Sequence, residues 1–280
     1  MSELTGKRAL VTGASSGIGA AIAGELAALG VDLVLTARRR DALELVAATC
    51  RARGVSVEVI PADLGRAGAP AALWTAACAA APIDILINNA GFGYFRPFRS
   101  AAWERDAELL QLNVTTLVEL TRRFIDARGD ARGDARGDAP GRAYLVNIAS
   151  IAAYQAVPNM AVYASSKAFV RNFTEALHDE LRGTSITATC VCPGGTETNF
   201  HAAAGAGNYG WLANASMMSA ASVARITVAA MRKGKRNVVP GVLNKLAAWS
   251  VRLAPRRIAA WASSRILGTP KTAALPDRAA

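Results

Sequence analysis

Aromatic residues make up only 6% of this 280-residue chain, so any core must be built mainly from Ala, Val, Leu and Ile. Histidine occurs only at His178 and His201, too sparsely for a histidine-based metal centre. Four cysteines, Cys50, Cys78, Cys190 and Cys192, form neither a C-x-x-C pair nor a zinc spacing. They are expected as free thiols of a reducing cytosol, with Cys190 and Cys192 as filler on one face of a buried strand. No run of 18 uninterrupted apolar residues exists, so no transmembrane helix is expected. The opening M-S-E-L-T-G-K-R lacks the apolar stretch of a secretory signal, and a cytoplasmic location is expected.

What is present is a hydrophobic fraction of 52%, ample for one large domain. The net charge of +11 is unevenly spread: residues 231–280 hold eleven Lys/Arg against one Asp. The basic character therefore belongs to the tail, which suggests an attachment surface and no nucleic-acid partner.

Arg8 to Thr12 reads as a short buried strand, followed by T-G-A-S-S-G-I-G at 12–19 and a helical pattern to Gly30. Glycines there permit a tight turn and bring backbone N–H groups close to a pyrophosphate at a helix N-terminus. The spacing differs from G-x-G-x-x-G. A second strand, Val31 to Thr36, runs into Arg38, Arg39 and Arg40, where an NAD-binding chain would place an acid for the ribose hydroxyls. An arginine there suits a 2′-phosphate through charge-assisted hydrogen bonds, which predicts NADP(H). Asp41 with Glu44 reads as a helix N-cap and its capping-box partner.

Further strands are predicted at Val55–Ile60, Asp84–Asn88, Tyr144–Ala149 and Ser185–Cys192, the last broken by Pro193-Gly194-Gly195. Helical patterns at Trp103–Ala127 and Val162–Leu181 alternate with them, so a parallel sheet of βαβ units follows. A D-A-R-G repeat at 126–139 reads as a flexible surface loop.

Tyr163 and Lys167 lie four residues apart, on one face of a helix. The ammonium favours the phenolate, which fits Tyr163 as a general acid/base near neutral pH. Ser150 follows the run A-Y-L-V-N-I-A, at a strand's carboxyl end, where open α/β sheets collect ligands.

In this order and spacing, T-G-A-S-S-G-I-G, Asp63-Leu64, N-N-A-G at 88–91, Asn113, Ser150, Y-A-S-S-K at 163–167 and P-G-G-T-E-T at 193–198 resemble the short-chain dehydrogenase/reductase family. The resemblance covers about Lys7 to Pro240. It implies a single α/β domain at 1–240, a doubly wound parallel sheet of Rossmann type, with a helical C-terminal extension. It also implies a tetrad of Asn113, Ser150, Tyr163 and Lys167. Tyr163 would exchange the proton and Ser150 would hydrogen-bond the substrate oxygen. Lys167 would bind the nicotinamide ribose, and Asn113 would anchor a relay water. By the same resemblance Gly13, Ser15, Ser16, Gly17, Ile18 and Gly19 meet the pyrophosphate, Arg38 the 2′-phosphate, and Asp63 and Leu64 the adenine. Asn89, Ala90 and Gly91 border the cofactor, and Thr196 and Thr198 approach the carboxamide. A homodimer or homotetramer with long helices paired between subunits is implied too. An NAD-dependent alcohol dehydrogenase and a non-catalytic nucleotide-binding or membrane-attached scaffold are the alternatives.

The segment 196–220 sits where the family places a substrate lid, with Tyr209, Trp211, Met217 and Met218 on it. Phe92, Tyr94, Phe95, Phe98, Tyr154 and Met160 could add apolar walls for a hydrophobic carbonyl or secondary alcohol. In the tail, 241–280, Leu243, Leu246, Trp249 and Leu253 recur at near-helical spacing. Ile258, Trp261 and Ile266 continue a second stripe beyond Pro255. Tryptophans beside arginines suit peripheral contact with the inner membrane face; the competing reading is packing on the core or across a dimer.

Overall fold

The computed structural model describes residues 2–129, 141–197, 216–251 and 253–267. Its strands are β1 (Arg8–Thr12), β2 (Asp32–Thr36), β3 (Val57–Val59), β4 (Ile85–Asn88), β5 (Ala143–Ile148), β6 (Ile186–Val191), β7 (Thr196–Glu197), β8 (Met218–Ser219) and β9 (Asn237–Val238). Its helices are α1 (Gly17–Ala28), α2 (Arg40–Arg51), α3 (Ala69–Ala77), α4 (Trp103–Leu110), α5 (Leu117–Arg128), α6 (Ala161–Glu180), α7 (Ala220–Arg232), α8 (Val242–Ser250) and α9 (Arg256–Leu267).

Successive strand residues point to opposite faces, and both faces of this sheet are covered. Ala9, Val11, Leu33, Leu35, Ile85 and Ile87 join one core with Ile22 and Leu26 of α1, Leu43 of α2 and Val228 of α7. The intervening Leu10, Val34, Leu86 and Leu145 join the other, with Leu73 and Trp74 of α3 and Phe124 of α5. Trp74 and Phe124 meet edge to face at 6.2 Å, so two of the chain's few aromatics brace α3 against α5.

Seven strands form one parallel sheet in the order β3-β2-β1-β4-β5-β6-β9. The order reverses between β1 and β4, which opens a crevice at the carboxyl ends of those strands. A buried polar chain fixes register beside it. Asn88 Nδ2 donates to Asn147 Oδ1 at 2.9 Å and Thr121 Oγ1 at 3.1 Å, and Asn147 Nδ2 donates to Thr174 Oγ1 at 2.9 Å.

Several boundaries differ from the sequence expectations. The helix expected over Trp103–Ala127 widens into a π turn at Gln111–Thr116 before α5 resumes. The expected loop at 126–139 begins later, because Asp126, Ala127 and Arg128 complete α5. Arg128 anchors that end, with Nη2 donating to Ile83 O and Asp84 Oδ1, each at 2.6 Å. Residues 130–139 lie outside the described residues. Asp41 does not cap α2: Arg39 holds the N-cap position, and Glu44 pairs with Arg51 at 3.1 Å instead of reaching back.

The ends of the expected lid are structured. β7 and β8 pair in parallel, Met218 N donates to Gly195 O at 3.0 Å, and Ala220 already starts α7. Tyr209 and Trp211 fall outside the described residues. Among the described residues the tail holds two helices, α8 ending at Ser250 and α9 beginning directly after Pro255, a residue suited to a helix start. No helix among the described residues is long and apolar enough to cross a membrane.

Candidate active site

The crevice is lined by turns leaving the carboxyl ends of β1, β4, β5 and β6. Gly13 and Gly17 both adopt positive φ, at 65° and 58°, which L side chains rarely take. They turn the chain so that α1 starts at Gly17 with its N-terminus uncapped by any side chain. The first N–H groups of a helix lack intrahelical partners and favour an anion. Gly19 has no room for a Cβ, which would fall 2.5 Å from Asn89 Nδ2 and closer still to Gly13 O. The first turn of α1 thus presses directly on the glycine turn.

Thr12 ties this turn to the next one. Its hydroxyl accepts from the N–H groups of Asn89 and Ala90 at 3.0 and 2.9 Å, and Asn89 Nδ2 donates to Thr12 O at 2.9 Å. A Cβ on Gly91 would lie 2.9 Å from Asn113 Oδ1 and 3.3 Å from Lys167 Nζ. The N-N-A-G segment therefore runs bare-backboned across two tetrad side chains.

Lys167 is buried, with Nζ donating to Ile148 O at 2.9 Å and lying 5.9 Å from the centre of the Tyr163 ring. Burial pushes its pKa down from 10.5 to about 8, opposed by the cysteine sulfurs of Cys190 and Cys192. Those two sulfurs approach to 3.7 Å within the core, where they serve as filler.

Ser150 follows β5 and caps a short 3₁₀ turn, its Oγ accepting from Ala152 N at 3.1 Å. That leaves the hydroxyl proton free to be donated elsewhere. Ala152 packs in the small cluster that holds Tyr163, Tyr94 and Leu109, so the Ser150 turn and Tyr163 share one wall.

Asn113 sits in the π turn, a widening of the kind frequent at functional sites. Its side chain is fully engaged. Oδ1 accepts from Phe92 N at 3.0 Å, while Nδ2 donates to Phe92 O at 2.9 Å and Ser166 Oγ at 3.1 Å. Ser166 Oγ in turn donates to Tyr163 O at 2.7 Å, which joins Asn113 to the helix of the tyrosine. The Asn113 amide thus ties the Phe92 backbone to the helix that carries Tyr163.

The cofactor-side residues distribute as follows. Arg38 is exposed just past β2 and has no ion-pair partner among the described residues. Asp63 Oδ1 accepts from Gly65 N at 3.2 Å, and buried Leu64 has its carbonyl bonded by Thr116 Oγ1 at 2.7 Å. Ser15, Ser16 and Ile18 lie in the glycine turn and the start of α1. Thr196 is buried in β7, its hydroxyl donating to Gly194 O at 3.2 Å. Thr198 lies outside the described residues.

Of the expected apolar walls, Phe92 and Met160 pack beside Tyr163. Phe95 is buried and Phe98 is exposed. Tyr154 faces away, into a cluster with Val170 and Cys192, and donates to Asn237 Oδ1 at 3.1 Å, so it is no substrate wall. Tyr94 donates to Asp106, and burial together with that carboxylate pushes its pKa well up.

Two residues escaped the sequence reading. Gly93 lies flat on the Tyr163 ring, where a Cβ would sit 2.5 Å from Cδ2. Asn244 of α8 fills the space beside Gly194, donating to Ser216 O at 3.2 Å and Pro240 O at 3.0 Å. The G-F-G spacing was a weak signal for the first; nothing in the sequence marks the second.

A doubly wound sheet with a bare glycine turn, an open helix N-terminus and a Tyr-Lys pair at its switch point defines a dinucleotide-binding oxidoreductase class. The profile described as short chain dehydrogenase matches residues 7–208, and the chain belongs to the short-chain dehydrogenase/reductase family. It is similar to an "Uncharacterized oxidoreductase" of Myxococcus xanthus, 33% identical over 69% of this chain and 74% of that one. It also resembles the "Ketoacyl reductase HetN" of a Nostoc strain, 34% identical over 69% of this chain and 65% of that one. Among solved structures it is similar to a short-chain dehydrogenase from Sphingobium yanoikuyae in complex with NADPH. The TM-score is 0.76 at 28% identity, covering 97% of this chain and 99% of that chain.

Proposed function

We propose that this protein is an NADP(H)-dependent reductase of ketones or other hydrophobic carbonyl compounds, working reversibly on the corresponding secondary alcohols, in a cytoplasmic homodimer or homotetramer. The observation that carries the reading is Lys167, buried, held on Ile148 O and set beside the Tyr163 ring and the bare backbone of Gly91. The likeness to a ketoacyl reductase supports the reductive direction.

The residues fit the cofactor. Gly13, Ser15, Ser16, Gly17, Ile18 and Gly19 would offer backbone N–H groups to the pyrophosphate, and the uncapped α1 favours its negative charge. Exposed Arg38 would hold the 2′-phosphate, and no acid stands at the end of β2 to repel it. Asp63 and Leu64 would border the adenine, Asn89, Ala90 and Gly91 the nicotinamide half, and Thr196 and Thr198 the carboxamide. When bound, NADP(H) supplies or accepts the hydride.

Tyr163 donates the proton to the substrate oxygen during reduction. Ser150 steadies the same oxygen with the hydroxyl proton that its cap bond leaves unused. Lys167, protonated near neutral pH, lowers the energy of the phenolate. Asn113 keeps Gly91, Phe92 and the Tyr163 helix in register, and its π turn offers carbonyls for a relay water.

The test is separate fluorescence titration of NADPH and NADH with wild type and Arg38→Ala, beside turnover of a ketone panel by Tyr163→Phe. Loss of two charge-assisted hydrogen bonds should weaken NADPH about 100-fold in Arg38→Ala and leave NADH unchanged. Tyr163→Phe should bind NADPH yet lose turnover. Equal binding of both nucleotides by wild type overturns the NADP reading, and full turnover by Tyr163→Phe overturns the mechanism.

A further inference from the structure

Helices α8 and α9 are packed inside out. Toward the protein they turn small or polar residues: Asn244 and Ala248 of α8, Ala259 and Ser263 of α9, each pair at i, i+4 and each buried. Asn244 donates to Ser216 O and Pro240 O, and Ser263 Oγ donates to Ala156 O at 2.9 Å. Toward solvent they turn their large apolar side chains. Leu243, Leu246 and Trp249 are 54–58% exposed on α8, and Ile258 and Trp261 are 55% and 61% exposed on α9. Among the described residues these side chains stay more than half exposed, and exposed apolar surface gathered in this way marks an interaction site.

The charges on the same helices identify the occupant. Lys245, Arg256, Arg257 and Arg265 are all exposed, and residues 241–267 contain no acid at all. Lys245 stands one turn before Trp249, and the Arg265 guanidinium lies 5.7 Å from the centre of the Trp261 ring. Cations therefore stand on the apolar stripe and at its borders, where long basic side chains can rise beside buried apolar neighbours. A second copy of this chain would oppose one basic face with another in an isologous contact, which disfavours self-association. An anionic lipid surface complements both features, because it accepts tryptophan and leucine at the acyl boundary and attracts the arginines.

We propose that the outward face of α8 and α9 docks the protein onto anionic phospholipid. The docked helices also touch the segments that frame the site. Asn244 fills the space beside Gly194, whose neighbour Pro193 accepts from Ile151 N, and Ala156 lies between Ser150 and Tyr163. A lipid-held tail thus bears on the two segments flanking the catalytic turn, which suits an apolar substrate drawn from the bilayer. The docking itself stands apart from the proposed reaction, and a catalytically dead Tyr163→Phe protein should dock equally well.

The experiment is flotation of the full-length protein with vesicles of phosphatidylcholine alone and of phosphatidylcholine with phosphatidylglycerol in equal parts. The tryptophan emission is followed with brominated lipid. Wild type should float with the anionic vesicles only, with quenched emission. The double variant Trp249→Ser, Trp261→Ser should lose at least about tenfold in apparent affinity, since each removes an exposed apolar side chain from the contact. Arg256→Gln and Arg257→Gln should each weaken binding about fivefold. NADPH binding and helical content should stay unchanged in all of these variants, which separates docking from folding. Failure of wild type to float, or equal flotation of the tryptophan variant, overturns the proposal. A wild-type oligomer that the tryptophan variant dissolves, with no vesicle binding, assigns the face to a second copy and overturns it too.

Discussion

Replacing Lys167 with methionine should remove activity and make the cofactor-free protein more stable. The ammonium is buried, and its pKa falls from 10.5 to about 8 because burial disfavours its charged form. That difference corresponds to about 3 kcal/mol at pH 7. The sign follows from proton counting. Between about 8 and 10.5 the unfolded chain binds more protons than the folded one, so stability rises with pH through that window. Below pH 8 the penalty is fully present. Methionine has similar length and no charge, but it leaves Ile148 O without the Nζ donor, a loss of about 1 kcal/mol. The net gain at pH 7 is about 2 kcal/mol. Urea unfolding followed by far-ultraviolet circular dichroism would show it as a midpoint roughly 0.7 M higher, for a slope of about 3 kcal/mol per molar. Wild type should recover about 1 kcal/mol of the gap between pH 7 and pH 9. A Lys167→Met protein less stable than wild type at pH 7, or a gap independent of pH, would refute the reasoning.

Gly93→Ala should push the Tyr163 ring off its position, because the new methyl would sit 2.5 Å from Cδ2. A displacement of this size should lower kcat about 100-fold with NADPH affinity nearly unchanged, which steady-state kinetics and titration would check. Asn244→Ala should orphan the carbonyls of Ser216 and Pro240, lowering the unfolding free energy by about 3 kcal/mol. An unaltered urea midpoint would show that α8 contributes no docking to the fold.

Six strands of the sheet were legible as apolar runs, and alternation along them then places Leu10 opposite Ala9 and Val11. β9 is two residues long, carries no such run and was not expected. The Tyr163–Lys167 pairing was legible because i, i+4 spacing is a local property of a helix. What escaped depends on contacts between distant segments. The π turn at Gln111–Thr116 has no local signature, and Asn113 reveals its part only through Phe92 and Ser166. Asp41 fitted a capping box in sequence, yet Glu44 found Arg51 across two turns of the same helix. The tail stripes were visible as stripes, but whether Leu246 or Ala248 faces inward is decided by the space beside Gly194, which takes an amide and no leucine.

The two ends of the D-A-R-G repeat leave the domain at the far rim of the sheet. Arg128 closes α5 against Ile83 and Asp84, before β4 starts, and Ala143 N meets Ser185 O, before β6 starts. Every turn of the candidate site leaves the opposite rim. Gly129 and Gly141, the described residues that border this span, therefore stand at the rim away from the catalytic geometry. A fluorescent reporter or an immobilisation handle joined at Gly129 and Gly141 would enter the working protein on that rim.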